Sequence, residues 1–246
     1  NSAVQLQFSS LLSLCESEEK YHCLGEFLKS RLTTFRIGIS LYGLFPSPFL
    51  KKKHQCALEA GVDRHSLHHR HSIASVRSSS DNNNNDDIIT LSPALKWKTR
   101  IVQIQKFPLG SRVSYGGNFF VTEKDGLFVG TLPVGYADGL RRSLSALHRG
   151  PEANDVPDPN RPVCHGLLRG QQTPMLGTIC MDMVMIDAQT NIPNASGHPV
   201  EVGEEVVLIG DQESEGGRGI ITTDEIAERL ETINYEITCL LGMRVP

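Results

Sequence analysis

Short apolar runs that alternate with polar positions dominate the second half of the chain. Phe119–Glu123 and Leu127–Val134 are β-rich, and Lys124-Asp125-Gly126 between them holds the Asp-Gly pair that favours a tight hairpin turn. The pattern predicts a hairpin over 119–134, with Tyr115-Gly116-Gly117 near one end and Gly135-Tyr136 near the other. Ile101–Phe107, Pro162–Arg169 and Thr173–Asp187 read as further strands, and Val200–Gly210 as a turn followed by a buried strand. Alternation within 173–187 places Met183 and Met185 on a packed face. At Thr222 the period changes. Thr222 and Glu225 have capping-box spacing, and Ile226, Ala227, Leu230 and Ile233 share one face of a helix that ends within Thr232–Glu236.

The first half is less regular. A polar, weakly helical stretch is followed by Phe35–Leu44, whose apolar, β-branched character predicts a buried strand. Residues 49–90 carry Lys51–Lys53, the histidines 65, 68, 69 and 71, a serine run and the Asp/Asn run 81–87. Such a composition buries too little apolar surface to offset the entropy of ordering, so it reads as a surface insertion without fixed structure. Leu147–Arg161, rich in Pro, Asp and Asn, reads as a loop.

Composition narrows the function classes. The 246 residues suffice for one or two domains with a real core. A net charge of −4, from 24 basic and 28 acidic residues, gives no general attraction to nucleic acid or to an anionic membrane. No apolar run nears the roughly 20 residues of a membrane span. Residue 1 is not methionine and the opening lacks a signal-peptide plan, so the chain reads as an internal piece with any targeting segment upstream. The six cysteines (15, 23, 56, 164, 180 and 239) are scattered, which points to neither a zinc knuckle nor a disulfide framework. A reducing compartment is the expectation, cytoplasmic or, with an upstream targeting segment, organellar. The histidine cluster lacks the geometry of a fixed zinc site, and no metal is expected.

Taken one at a time, Tyr115 and Tyr136 read as half-buried sheet residues and Arg36 as a strand-end arginine reaching to solvent. Taken in order, SYGGNFFVT, LPVGYADGLRR, LGTICMDMVMID and TINYEITC resemble the C-terminal half of the alanine racemase family. The likeness runs with interruptions from Arg36 onward, with a short trace at Asn1-Ser2-Ala3. It implies a pyridoxal-phosphate enzyme built from a βα-barrel and a β-rich C-terminal domain. On that basis residues 1–48 are the end of the barrel, 49–90 the insertion and 91–246 a mainly β, small barrel-like domain with a few helices.

The resemblance also assigns roles. Tyr115 would be a catalytic base delivered into the partner subunit's active site. Tyr136 and the backbone N–H of Met181, supported by Asp182, would hold the substrate. Arg36 would meet the pyridine nitrogen of the cofactor, while Ser2, the backbone of Gly38 and Ile39, and the Tyr235 hydroxyl would hold its phosphate. Arg142 would line the approach, and Thr178 stands where many relatives carry an arginine at the substrate entrance.

The implied chemistry is demanding. Racemisation removes a proton from one face of an α-carbon and returns one on the other, which two fixed bases on opposite faces can do. A free phenol, with a pKa near 10, needs nearby positive charge to serve as one of them. A guanidinium at the pyridine nitrogen would leave that nitrogen unprotonated and the cofactor a weaker electron sink. The second base in the family is the Schiff-base lysine, early in a barrel that takes about 250 residues by itself. This chain is therefore expected to carry the tyrosine and lack the lysine, and to be inactive alone; Lys51–Lys53, Lys96 and Lys98 fall outside the motif. The expected partners are alanine and a second copy of the chain in a homodimer with shared sites, with no nucleic acid or membrane. Three other readings stay open: a racemase of another amino acid such as serine, a barrel-type decarboxylase, against which Tyr115 argues, and a non-catalytic interaction module.

Overall fold

Among the described residues ten strands carry the architecture: β1 (Trp97–Arg100), β2 (Gln103–Phe107), β3 (Arg112–Val113), β4 (Phe119–Phe120), β5 (Leu127–Leu132), β6 (His165–Leu168), β7 (Gln171–Leu176), β8 (Val184–Asp187), β9 (Glu205–Ser214) and β10 (Gly217–Ile221). They come from a computed structural model that describes residues 38–48, 50–52, 91–145, 164–188 and 199–245. Ser2, Arg36, the histidine cluster and the 147–161 loop lie outside the described residues. The chain divides into two units, 1–94 and 95–246.

Continuous burial marks the central strand of the second unit. Val206, Val207, Leu208 and Ile209 are all buried, the mark of a strand covered on both faces. That strand, β9, pairs antiparallel with β1, β6 and β10. The sheet order is β1-β9-β6-β7-β8-β5-β2, with β10 alongside β9. Its two ends are one piece of chain. β1 and β2 are separated by Ile101-Val102, whose N–H groups donate to Glu204 O (3.0 Å) on the β9 side and Thr131 O (2.9 Å) on β5. The sheet therefore closes on itself through a bent strand. A second corner lies in β7, which pairs with β6 over Gln171–Pro174 and with β8 over Met175–Leu176. Closure leaves an interior filled by Ile101, Leu132, Leu167, Met175, Ile179, Val184, Ile186, Val206 and Val207, all buried in one cluster with Trp97. The fold is mainly β, a small barrel with short helices, as the resemblance implies.

The hairpin expected over 119–134 does not form. The turn at Lys124-Asp125 is present, but β4 pairs with β3 and β5 pairs with β2 and β8. Long-range pairing wins because the β2–β5 register sets Phe107 against Leu127, with Gly126 packed onto the Phe107 carbonyl, where a Cβ would lie 2.5 Å from the oxygen. Residues 108–126 become an excursion from that ladder, closed by Val121 N–H to Ser111 O (2.9 Å) and Gly110 N–H to Val121 O (3.0 Å). Val113, Val121, Leu127, Val129 and Leu176 form a second buried cluster beneath it.

Three further expectations need correction. The 173–187 run is two strands, β7 and β8, with the loop 177–183 between them. Met183 lies in that loop and is 47% exposed, so alternation there described a bend and not a packed face; Met185, in β8, is partly buried against the second cluster. The helix opening at Thr222 is shorter than its apolar face implied.

That helix, α1 (Thr223–Arg229), is capped by Thr222, whose Oγ1 accepts from Glu225 N–H at 3.1 Å. Glu225 turns forward to Arg229 Nη2 (2.6 Å) and Asn234 opens a second helix, α2 (Asn234–Leu240). Ile233, between them, is 60% exposed. Ile226, Ala227 and Ile237 join the main core beside Trp97, Ile209 and Ile221.

In the first unit the expected strand 35–44 is, over its described part, a 3-10 turn, Ile39–Tyr42, with Ile39 and Ser40 buried. Gly38 (φ −102°, ψ −113°) stands at its start and Gly43 (φ 71°) ends it in the left-handed region. Ala94 N–H donates to Tyr42 O at 2.9 Å. Among the described residues no helix is long and apolar enough to cross a membrane.

Candidate active site

The loop 177–183 is the common partner of both tyrosine turns. Tyr115 opens the 3-10 turn Tyr115–Gly117, in which Gly117 N–H donates to Ser114 O at 3.0 Å. Its carbonyl accepts from Thr178 Oγ1 (3.2 Å) and Asn118 Nδ2 (3.1 Å), and Asn118 Nδ2 also donates to Thr178 Oγ1 (2.8 Å). Ser114 Oγ donates to Thr178 O at 2.6 Å and lies 3.7 Å from Cys180 Sγ. The backbone is held while the ring projects: Tyr115 is 75% exposed.

Tyr136 is fixed two residues further along the same loop. Tyr136 N–H donates to Cys180 O and Ala137 N–H to Met181 O, both at 3.0 Å. Only a residue without a side chain fits before them, since a Cβ on Gly135 would lie 2.2 Å from Cys180 O and 2.4 Å from Met181 O. Asp138, buried, accepts from Gly135 N–H through Oδ2 (2.9 Å) and closes the turn. Cys180 N–H donates to Met183 O (2.9 Å), which shapes the loop into a tight reversal with Met181 and Asp182 at its tip. Among the described residues the Met181 N–H makes no hydrogen bond, so a donor stands at the tip.

Charge locks the tip to the end of the chain. Arg244 Nη2 lies 2.7 Å from Asp182 Oδ1 and its Nε 3.2 Å from Asp138 Oδ1. The hydrogen bond to Asp182, with the charge of Asp138 behind it, raises the Arg244 pKa and keeps the guanidinium charged. One cation thus ties the Tyr136 turn to the Met181 turn. Arg142 is exposed on the neighbouring 3-10 turn 142–144, which is joined to the same loop by Ile179 N–H to Ser145 Oγ (3.0 Å).

Tyr115, Tyr136, Met181 and Asp182 are therefore brought together through one loop and all four are exposed. Tyr235 stands apart, at the start of α2 and not at a helix end, half-buried, with its pKa raised by desolvation. Its carbonyl accepts from Thr238 Oγ1 (2.8 Å), and among the described residues its hydroxyl has no hydrogen-bond partner. Gly38 and Ile39 belong to the first unit, where Gly38 is exposed at the entry to the 3-10 turn.

Thr178, where many relatives carry an arginine, is 3% exposed, and its hydroxyl donates to the Tyr115 carbonyl. Sequence reasoning passed over Ser114, Asn118, Asp138 and Arg244. Asn118 was within reach, because an asparagine three residues after Tyr115 in a Gly-Gly turn has the spacing of a side chain bonding back to the main chain. Arg244 was not, since nothing local links it to Asp138 or Asp182.

Among known proteins, residues 94–246 match the family described as "Alanine racemase, C-terminal domain". The alanine racemase of Halothermothrix orenii is 43% identical over 158 residues, 64% of this chain and 34% of the relative. That of Cutibacterium acnes is 34% identical over 223 residues, 90% of this chain and 52% of the relative. Among solved structures, alanine racemase from Bacillus anthracis with bound L-Ala-P overlays with a TM-score of 0.56 at 26% identity, covering 85% of this chain and 38% of that one. The chain spans between about a third and a half of the length of these curated relatives.

Proposed function

This chain belongs to the alanine racemase family through that family's C-terminal domain, and from that premise we propose that it serves pyridoxal-phosphate-dependent interconversion of L- and D-alanine as the half that carries the tyrosine base. The observation that carries the reading is Tyr115: a phenol left out in solvent on a backbone held by bonds to Thr178 and Asn118. A surface tyrosine without a task has no need of such a mount.

The residues present fit the cofactor. The half-buried Tyr235 hydroxyl, unpaired among the described residues, suits a phosphate, which accepts from hydroxyl and N–H donors, and the family resemblance assigns the Gly38 backbone to the same group. Ile39, Ser2 and Arg36 complete the proposed set. When bound, pyridoxal phosphate supplies the electron sink that acidifies the α C–H of an amino acid.

The work of this chain is then positional and protonic. Tyr115 Oη takes the α-proton from one face, or returns it, inside the partner subunit of a homodimer. The lysine that serves the opposite face belongs to a barrel. The Met181 N–H, held at the loop tip, donates to the substrate carboxylate, and Asp182 steadies the tip through Arg244. Tyr136, fixed to Cys180 O, orients the substrate. Residues 1–48 act as the end of the barrel, 49–90 as an insertion and 91–246 as the β-domain.

A chimera tests this. Residues 94–246 replace the C-terminal domain of the Geobacillus stearothermophilus alanine racemase, a relative 32% identical over 211 residues. With L-alanine and pyridoxal phosphate the chimera should form D-alanine, and Tyr115→Phe should lower the rate by about 10²–10⁴-fold. Full activity in Tyr115→Phe refutes the base assignment. Robust D-alanine formation by the 246-residue chain alone refutes the need for a separate lysine-bearing barrel.

A further inference from the structure

We propose that Ser114 and Thr178 are positioning residues for Tyr115, a strained turn and a hydroxyl clamp that together fix where the phenol can reach. The inference rests on the reading of Tyr115 as the working side chain, and adds to it how that side chain is aimed.

Ser114 has φ 68° and ψ 176°, a combination essentially confined to glycine because a Cβ crowds the neighbouring carbonyl there. A serine persists in such a conformation only when its surroundings over-determine it. They do so through Thr178. Its carbonyl accepts the Ser114 hydroxyl at 2.6 Å, while its own hydroxyl donates to the Tyr115 carbonyl at 3.2 Å and accepts from Asn118 Nδ2 at 2.8 Å. Packing adds to this, for a Cβ on Gly177 would lie 2.8 Å from Ser114 Cβ, so the two segments touch with no room for a larger residue.

The hydroxyl of Thr178 must both accept and donate. Serine and threonine can do this; valine, of nearly the same shape, can do neither. The clamp acts on the main chain and leaves the ring outside, which reconciles two features that otherwise conflict: great exposure and a fixed Cα. Position matters because misplacing a reacting group by about 1 Å can cost on the order of 10²-fold in rate.

The test uses the 246-residue chain with its five tyrosines replaced by 3-fluorotyrosine, and Tyr115→Phe identifies the Tyr115 fluorine line. In Thr178→Val and in Asn118→Ala that line should narrow and move toward free fluorotyrosine, while the Tyr136 and Tyr235 lines stay in place. Exchange of the Gly117 amide, which spans the turn to Ser114 O, should quicken at least tenfold. Thr178→Ser should restore both readouts, which a general loss of packing would not allow. A folded Thr178→Val with the Tyr115 line and Gly117 exchange unchanged overturns the proposal. If Thr178→Val does not fold, Asn118→Ala decides by the same two readouts. Neither readout needs cofactor or substrate. A released Tyr115 line in these variants alongside an inactive chimera would therefore sink the racemase reading and leave the clamp standing.

Discussion

Replacing Gly135 with alanine should break the link between the Tyr136 turn and the 177–183 loop. A Cβ there would sit 2.2 Å from Cys180 O, 2.4 Å from Met181 O and 2.6 Å from Met181 C, all main-chain atoms that no rotamer change can move. Ordinary contact requires the segments to part by roughly an ångström. That separation breaks the Tyr136 N–H to Cys180 O and Ala137 N–H to Met181 O bonds, each 3.0 Å now. Each lost bond costs about 1 kcal/mol net, and more where a group is left buried without a partner, so the loss is on the order of 2–5 kcal/mol. Gly110→Ala is the control. Gly110 has φ 85° but nothing within 4 Å of its would-be Cβ, so only the left-handed backbone penalty applies, about 1–2 kcal/mol. Urea denaturation gives both values, and amide exchange at Tyr136 and Ala137 reports the bonds. If Gly135→Ala is no less stable than Gly110→Ala and keeps both amides protected, the close approach does not hold the loop and the reasoning fails.

Other substitutions read other parts of the fold. Thr222→Ala removes the cap on α1, where Glu225 N–H meets Thr222 Oγ1 at 3.1 Å, and should lower stability by about 1 kcal/mol in urea titrations, with Thr222→Ser close to wild type. Glu204→Ala removes the carboxylate partner of Arg169, whose Nε and Nη2 reach Glu204 at 2.8 and 2.6 Å in a largely shielded pair, and should cost about 1–3 kcal/mol on the same assay. Burial pushes the Cys164 thiol from 9.0 up to about 11. Below the lower value both folded and unfolded chains keep that proton; between the two values only the folded chain does. Stability should therefore fall as pH rises through this window, by up to about 1.4 kcal/mol per pH unit, and level off above it. Chemical denaturation across the window, with Cys164→Val as the variant lacking this component, measures it; equal slopes in the two proteins would refute it.

Much of the sheet could be read from its apolar pattern, because β5 and β8 lie in the expected β-rich runs and β9 carries the continuous apolar run of a strand buried on both faces. Pairing could not. The Asp-Gly turn is real at 124–126, yet β4 and β5 turn away from each other, since register is decided by partners far off in sequence. Met183 misled for a related reason: alternation carries into a loop unchanged, and only the Cys180–Met183 reversal turns its side chain outward. The tyrosines were visible through their motifs, not their physics. Nothing local announces that Thr178 serves Tyr115, because the contact crosses some sixty positions of chain, with 63 between donor and acceptor.

The closed sheet sets an order of events during synthesis. β1 leaves the ribosome long before its ladder partner, as the 107 positions between Lys98 and Glu205 attest. Until β9 is made, the nascent domain carries two raw edges, on β1 and on β6, and the single late strand satisfies both. Contacts so distant are slow to form, and a ribosome stalled just short of residue 205 would display a sticky, half-built barrel. The domain thus depends on β9 as an arch depends on its keystone.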